Sequence, residues 1–193
     1  ARALFSSATA TLARLGGPGQ WLTSLPVHHV AGLQVLTRSV VAALDPVVWE
    51  GTGPESFADA ARQLRRGVPH YLSLVPTQLV RLLSSDPGAL SRFSAILVGG
   101  AALPAPLATH AEAEGVRVVR TYGSSETSGG CVYDGVPLDG VSVRLFAGRI
   151  QIAGPVLASR YLDGGDQPFA YDGEGIRWFT TSDLGEWQGG RLA

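Results

Sequence analysis

From Gln20 to Val119, short apolar runs alternate with stretches of helical periodicity, and few folds accept that rhythm. Gln20–Leu25, Pro46–Trp49, His70–Val75, Ala95–Val98 and Val116–Val119 read as strands. Between them, Val30–Leu44, a segment opening at Gly53-Pro54, Pro76–Leu83 and Pro104–Glu114 read as helices. A first helix spans Ala1–Leu15 and breaks at Gly16-Gly17-Pro18-Gly19. Strands separated by helices join as parallel neighbours, so the alternation predicts an α/β unit: a parallel sheet with crossover helices. After Gly130 the texture changes. Val141–Leu145 and Arg149–Ile152 alternate around a turn at Phe146-Ala147-Gly148; Ile176–Thr180 and Leu184–Trp187 read as further strands, and no long helix follows. The second part therefore reads as a small antiparallel, barrel-like β unit. The expected organisation is an α/β subdomain over 1–132 and a β subdomain over 133–193, sharing an interface because no long linker separates them.

Open α/β sheets bind ligands at the carboxyl ends of their strands. Three such places carry chemistry. Arg120–Gly130 reads as a loop of hydroxyls, glycines and one carboxylate: Ser124, Ser125, Thr127 and Ser128 suit phosphate oxygens, Glu126 suits magnesium, and Gly123 allows close backbone approach. A Ser- and Gly-rich surface turn is the plainer reading of the same residues. Gly99-Gly100-Ala101 leads from a strand into a helix and admits a planar or anionic ligand. His28 and His29 lie between a strand and a helix, where packing explains a histidine as well as binding does. Asp183, in a turn after a strand, suits ribose hydroxyls or simply builds the turn. Asp134, Asp139, Asp163 and Asp172 each precede Gly and read as turns; His70 and His110 receive no role.

Charge narrows the partners. The formal net charge is −1, against a nucleic-acid or anionic-membrane partner, and no apolar run is long enough to cross a bilayer. The basic residues are all Arg; without Lys, no side-chain amine is available for catalysis. Cys131 is single, so no internal disulfide forms, and a small buried residue is expected there. The absence of Met predicts a segment of a longer protein. The expected compartment is the cytoplasm, and a homodimer stays open.

Taken together, four stretches resemble the adenylate-forming superfamily of acyl-CoA synthetases, luciferases and adenylation domains. Tyr122-Gly123-Ser124-Ser125-Glu126-Thr127 is similar to its Tyr-Gly-x-Thr-Glu motif, with Ser125 in the Thr place. Trp178–Leu184 is similar to Trp-x-x-Thr-Gly-Asp-Leu, with Ser182 in the Gly place. Gly148–Pro155 is similar to Gly-Glu-Ile-x-Ile-x-Gly-Pro, with Arg149 replacing Glu, and Leu25–Gly32 to Leu-Pro-x-x-His-x-x-Gly, which makes His29 the motif residue. Within the superfamily, His70–Leu79 and Ser125–Gly135 resemble actinobacterial o-succinylbenzoate–CoA ligases of menaquinone biosynthesis.

The resemblance implies ATP-dependent adenylation of a carboxylic acid, then thioester formation with CoA. It implies that Glu126 holds Mg2+ and that Ser125 donates to the α-phosphate. Tyr122 would pack on adenine opposite Gly99, Gly100 and Ala101, with Thr121, Gly123 and Ser124 around the nucleotide and Asp183 on the ribose. His29 and Gly32 would line the acyl pocket, shaped further by Ser73, Thr77, Gly129 and Gly130. The superfamily's Lys-bearing phosphate loop and carboxyl-terminal domain have no counterpart in these residues, so the chain alone is expected to be inactive. Another acid–CoA ligase, a carrier-loading adenylation domain and an inert ligand-binding module remain alternatives.

Overall fold

The computed structural model describes residues 1–51, 53–162 and 168–193. In chain order the elements are α1 Arg2–Leu15, β1 Gln20–Thr23, α2 Val30–Ala42, β2 Val47–Val48, α3 Pro54–Arg62, β3 His70–Leu74, α4 Pro76–Ser85, α5 Pro87–Leu90, β4 Ala95–Val98 and α6 Ala105–Ala113. There follow β5 Val118–Ser124, β6 Gly129–Tyr133, β7 Val136–Pro137, β8 Ser142–Phe146, β9 Arg149–Ala153, β10 Phe169–Tyr171, β11 Arg177–Leu184, β12 Trp187–Gln188 and β13 Arg191–Leu192. Of the turns expected at Asp-Gly pairs, that at Asp163 lies outside the described residues.

The large sheet has the order β2-β1-β3-β4-β5-β6-β7. Its first five members are parallel, as the alternation predicts, while β5, β6 and β7 pair antiparallel. Successive strand residues take opposite faces. Trp21, Tyr71, Ala95, Leu97 and Val119 join α1 and α2 in one core; Leu22, Leu72, Ile96 and Val98 join Phe57 and Leu79 in the other. Both faces are covered, so these strands are apolar almost throughout. The chain moves from β1 to β2 on one side and then to β3 on the other, which makes the carboxyl ends of β1 and β3 a topological switch point.

The second part is a four-stranded antiparallel sheet, β10-β11-β9-β8, joined by the β12–β13 hairpin. Among the described residues that sheet is open, with β10 and β8 at its edges. The β8–β9 turn holds Ala147 at φ 50° and Gly148 at φ 78°, the left-handed pair a tight hairpin demands. Ile150, Ile152, Val156 and Phe179 join the core under α1 and α2, so the two sheets share apolar packing, as the missing linker implies.

Three expectations change. The stretch Arg120–Gly130 is not a loop after a strand: β5 continues to Ser124 and turns into β6. That hairpin carries the large sheet on to Pro137, so β6 crosses the boundary expected at residue 132. Leu184–Trp187 is not a strand of its own; Leu184 ends β11 and Trp187 begins β12.

Candidate functional site

Three hollows open at the carboxyl ends of β1, β3, β4 and β5, and Gly123 borders all of them. The first, of about 590 Å3, lies among Gly100, Ala101, Thr121, Tyr122 and Asp183. The second, of about 340 Å3, lies among Ser124, Glu126, Tyr161 and Asp183. The third, of about 420 Å3, enters at the switch point among His29, Arg38, Ser73, Gly99 and Gly130. Gly123 is required by contact: a Cβ there would sit 2.2 Å from the Gly129 carbonyl oxygen.

Two β-bulges aim the groups of the first hollow. The β5–β6 register shifts between Tyr122 and Gly123, and the β9–β11 register shifts between Thr180 and Leu184. Bulges redirect side chains at the cost of a few ladder bonds. Here they bring Tyr122 of one sheet to Asp183 of the other, with the phenol donating to Asp183 Oδ2 at 2.8 Å. Burial, then the Asp183 hydrogen bond, push the Tyr122 phenol up, so it stays a neutral donor. The second bulge is braced twice: Thr181 Oγ1 donates to the Ile150 carbonyl at 3.0 Å, and Arg149 Nη1 to the Ser182 carbonyl at 2.9 Å. Two of the three departures from the superfamily pattern, Arg149 and Ser182, thus touch each other.

The β5–β6 turn is held from inside. Thr127 Oγ1 accepts the Ser124 N–H and donates to the Gly129 carbonyl, each at 2.8 Å. Gln34 Nε2 donates to the carbonyl of Ser128, a residue at φ 55°. Ser125 is exposed at the tip. Tyr161 donates to Glu126 Oε1 at 2.5 Å. Burial, the largest single influence, works against the Glu126 charge, but its hydrogen bonds, that from Tyr161 foremost, together outweigh it and hold the carboxyl below its usual range. No group of three His, Cys, Asp or Glu side chains fit to hold a metal exists among the described residues. Magnesium is commonly held by one or two carboxylates plus phosphate oxygens, so an ionised Glu126 beside the second hollow fits an ion that arrives with phosphates.

The third hollow is lined largely by apolar side chains and glycines, with Gln34 and Arg38 of α2, Ser73 of β3, Gln78 of α4 and Thr121 of β5 among its polar groups. His29, at the helix N-cap, borders the mouth. Gln34 and Arg38 follow one and two turns on, both buried. Arg38 packs its guanidinium 4.9 Å from the Trp21 ring centroid, and its Nη2 donates to the Tyr133 hydroxyl at 3.3 Å. Burial lowers its pKa. It pairs with no carboxylate among the described residues, and its Nε has no hydrogen-bond partner. An isolated charge in such a place is costly unless a ligand completes it. Ser73 Oγ and Gln34 Oε1 are buried and unpartnered at the same hollow.

Most of the residues singled out from sequence converge here. His29, Ser73, Gly129 and Gly130 border the third hollow, Gly99 the third, and Gly100 and Thr121 both the first and third. Ser125, Gly32 and Thr77 border none of the three. Gly32 makes room for backbone rather than ligand, since a Cβ there would meet the Pro26 carbonyl at 2.3 Å; Thr77 is exposed on α4. The sequence reading passed over Arg38, Gln34, Tyr133 and Tyr161. The first two had a signal: polar residues at i and i+4 in a helix otherwise apolar enough to be buried.

The sequence matches the AMP-binding enzyme family over residues 2–162. The chain belongs to that family. A probable 2-succinylbenzoate–CoA ligase of Mycobacterium tuberculosis is 48% identical, covering 98% of this chain and 50% of its own length. The 2-succinylbenzoate–CoA ligase of Salmonella typhimurium is 34% identical, over 94% of this chain and 39% of its own length. This AMP-binding chain thus spans half or less of the curated relatives it matches. Its fold is that of Escherichia coli MenE bound to an analogue of OSB-AMS, with TM-score 0.79, 29% identity, and coverage of 100% of this chain and 43% of the other. The o-succinylbenzoate CoA synthetase of Bacillus subtilis, in complex with OSB-AMP, shares the fold at TM-score 0.86 and 23% identity, over 98% and 43% of the two chains.

Proposed function

We propose that the protein carrying this chain is an o-succinylbenzoate–CoA ligase: it joins the acid to AMP from ATP, releases pyrophosphate, and passes the acyl group to CoA. The observation that carries the substrate assignment is Arg38, a buried guanidinium that borders a largely apolar hollow and has no carboxylate partner among the described residues. An acid with a second carboxylate completes that charge, and o-succinylbenzoate has one on its ring and one on its succinyl arm. The ring carboxylate sits at Arg38, with Ser73 Oγ as a second donor. The flexible arm reaches past His29 to the junction at Gly123, where the nucleotide hollows begin.

Adenylation brings one anion to another, so alignment and charge compensation matter more than a protein nucleophile. Tyr122 and Gly99–Ala101 flank the adenine, and Asp183, fixed by Tyr122, accepts from the ribose hydroxyls. Ser124, and Ser125 from the exposed tip of the turn, donate to the phosphates around Thr121 and Gly123. Glu126, oriented by Tyr161, would hold magnesium, whose charge offsets that of the phosphates. The ring-to-arm geometry leaves the acyl carbon beside Gly123, open to the CoA thiol. We place the reaction in the cytoplasm, where ATP and CoA are both supplied, and leave a homodimer to be decided by sedimentation.

The test is carboxylate-dependent exchange of labelled pyrophosphate into ATP by the intact protein across a panel of acids. Exchange with o-succinylbenzoate alone supports the reading. Exchange with a monocarboxylic acid instead would retire the substrate and keep the chemistry.

A further inference from the structure

Arg38 has a neighbour whose role the reaction does not assign. Tyr133, on β6, is 2% exposed, and its ring borders the third hollow. Its hydroxyl accepts from Arg38 Nη2 at 3.3 Å and lies 2.9 Å from Thr11 Oγ1 on α1. An arginine only donates, so the Tyr133 oxygen is the acceptor in that pair and its hydrogen is left for Thr11. Space for the ring comes from Gly130, where a Cβ would lie 3.2 Å from Tyr133 Cε1. The guanidinium therefore has a ring face beside it, from Trp21, and a hydroxyl along one edge, while its Nε edge stays unpartnered. Arginine has a long side chain with several rotamers, and holding it in one of them before ligand arrives saves the ordering cost at binding.

We propose that Tyr133, backed by Thr11, is a positioning residue that fixes the Arg38 guanidinium for the ring carboxylate of the acid. The proposal rests on the o-succinylbenzoate reading above. It predicts that selection between a dicarboxylate and a monocarboxylate depends on a hydroxyl that never touches the substrate.

Tyr133→Phe keeps the ring and removes only the hydroxyl. Calorimetry on the intact protein compares o-succinylbenzoate with 4-oxo-4-phenylbutanoate, which has the same arm and no ring carboxylate. The expected result is about tenfold weaker binding of o-succinylbenzoate by Tyr133→Phe, the scale of one hydrogen bond to a charged group. Binding of 4-oxo-4-phenylbutanoate and of ATP should not change. Thr11→Val should shift the same ratio in the same direction by less. In an Arg38→Met background, Tyr133→Phe should add nothing, because the hydroxyl then has no cation to hold. Unchanged o-succinylbenzoate affinity in Tyr133→Phe would overturn the proposal. So would an equal loss for both acids and ATP, the mark of a merely structural residue. A wild-type protein that binds the two acids equally would instead sink the substrate reading beneath it.

Discussion

At Gly123 the absence of one carbon atom joins three hollows. The Gly129 carbonyl lies 2.2 Å from where a Cβ would be, so Gly123→Ala must push β5 and β6 apart at their turn. Overpacking of this kind costs about 1–3 kcal/mol. A lower melting temperature and loss of ATP binding are expected, read by thermal unfolding and calorimetry; an unaltered nucleotide affinity would refute the placement. Eight residues along, Cys131 is fully buried, and burial pushes its thiol up to about 12. The folded state thus favours the protonated form, and thiolate appears only as pH rises toward that value. At pH 8 about one thiol in ten thousand is ionised. A thiol reagent should leave the native protein unlabelled at pH 8 and label it on denaturation. Its burial was legible from the sequence, because a lone Cys packs as a small apolar residue. The burial of Arg38 was not, because a sequence shows that an arginine interrupts an apolar helix but not that a hollow waits beside it.

Among the elements, the parallel strands were the most legible, and for a physical reason: buried on both faces, they are apolar runs between helices. The β5–β6 hairpin was hidden, since Arg120–Ser124 is mostly polar and interrupted by Gly123, and its hydrogen bonds depend on a partner strand that periodicity does not reveal. The bulge at Thr181–Asp183 was hidden likewise; the residues looked like a turn after a strand, and only pairing with β9 shows β11 continuing to Leu184. Arg149, out of pattern in sequence, finds its explanation in that bulge through the Ser182 carbonyl. Arg149→Glu puts a carboxylate where a donor is needed. The exposed setting limits the effect to about 0.5–1 kcal/mol, a few-fold rise in the KM for ATP with the KM for the acid unchanged. An equal rise in both would mean that Arg149 supports the whole fold rather than the bulge carrying Asp183.

For the whole molecule, the two sheets share an apolar cluster, and Tyr122 of one donates to Asp183 of the other, so the hollow proposed for the nucleotide forms only when both sheets are in place. The residues here supply hydroxyls, two carboxylates and a buried guanidinium, but no lysine. Purified on its own, this chain is expected to give no pyrophosphate exchange above background; robust exchange would show that arginines and backbone amides suffice for the phosphates. The central claim is that a buried cation selects a dicarboxylic acid. The most direct test is the ratio of affinities of the intact protein for o-succinylbenzoate and 4-oxo-4-phenylbutanoate, measured by calorimetry with Arg38→Met as control. A charge-assisted bond worth about 1.5–3 kcal/mol predicts a ratio of about ten to a hundred in the wild type, collapsing toward one in Arg38→Met. A wild-type ratio near one, or a ratio that survives Arg38→Met, would contradict it.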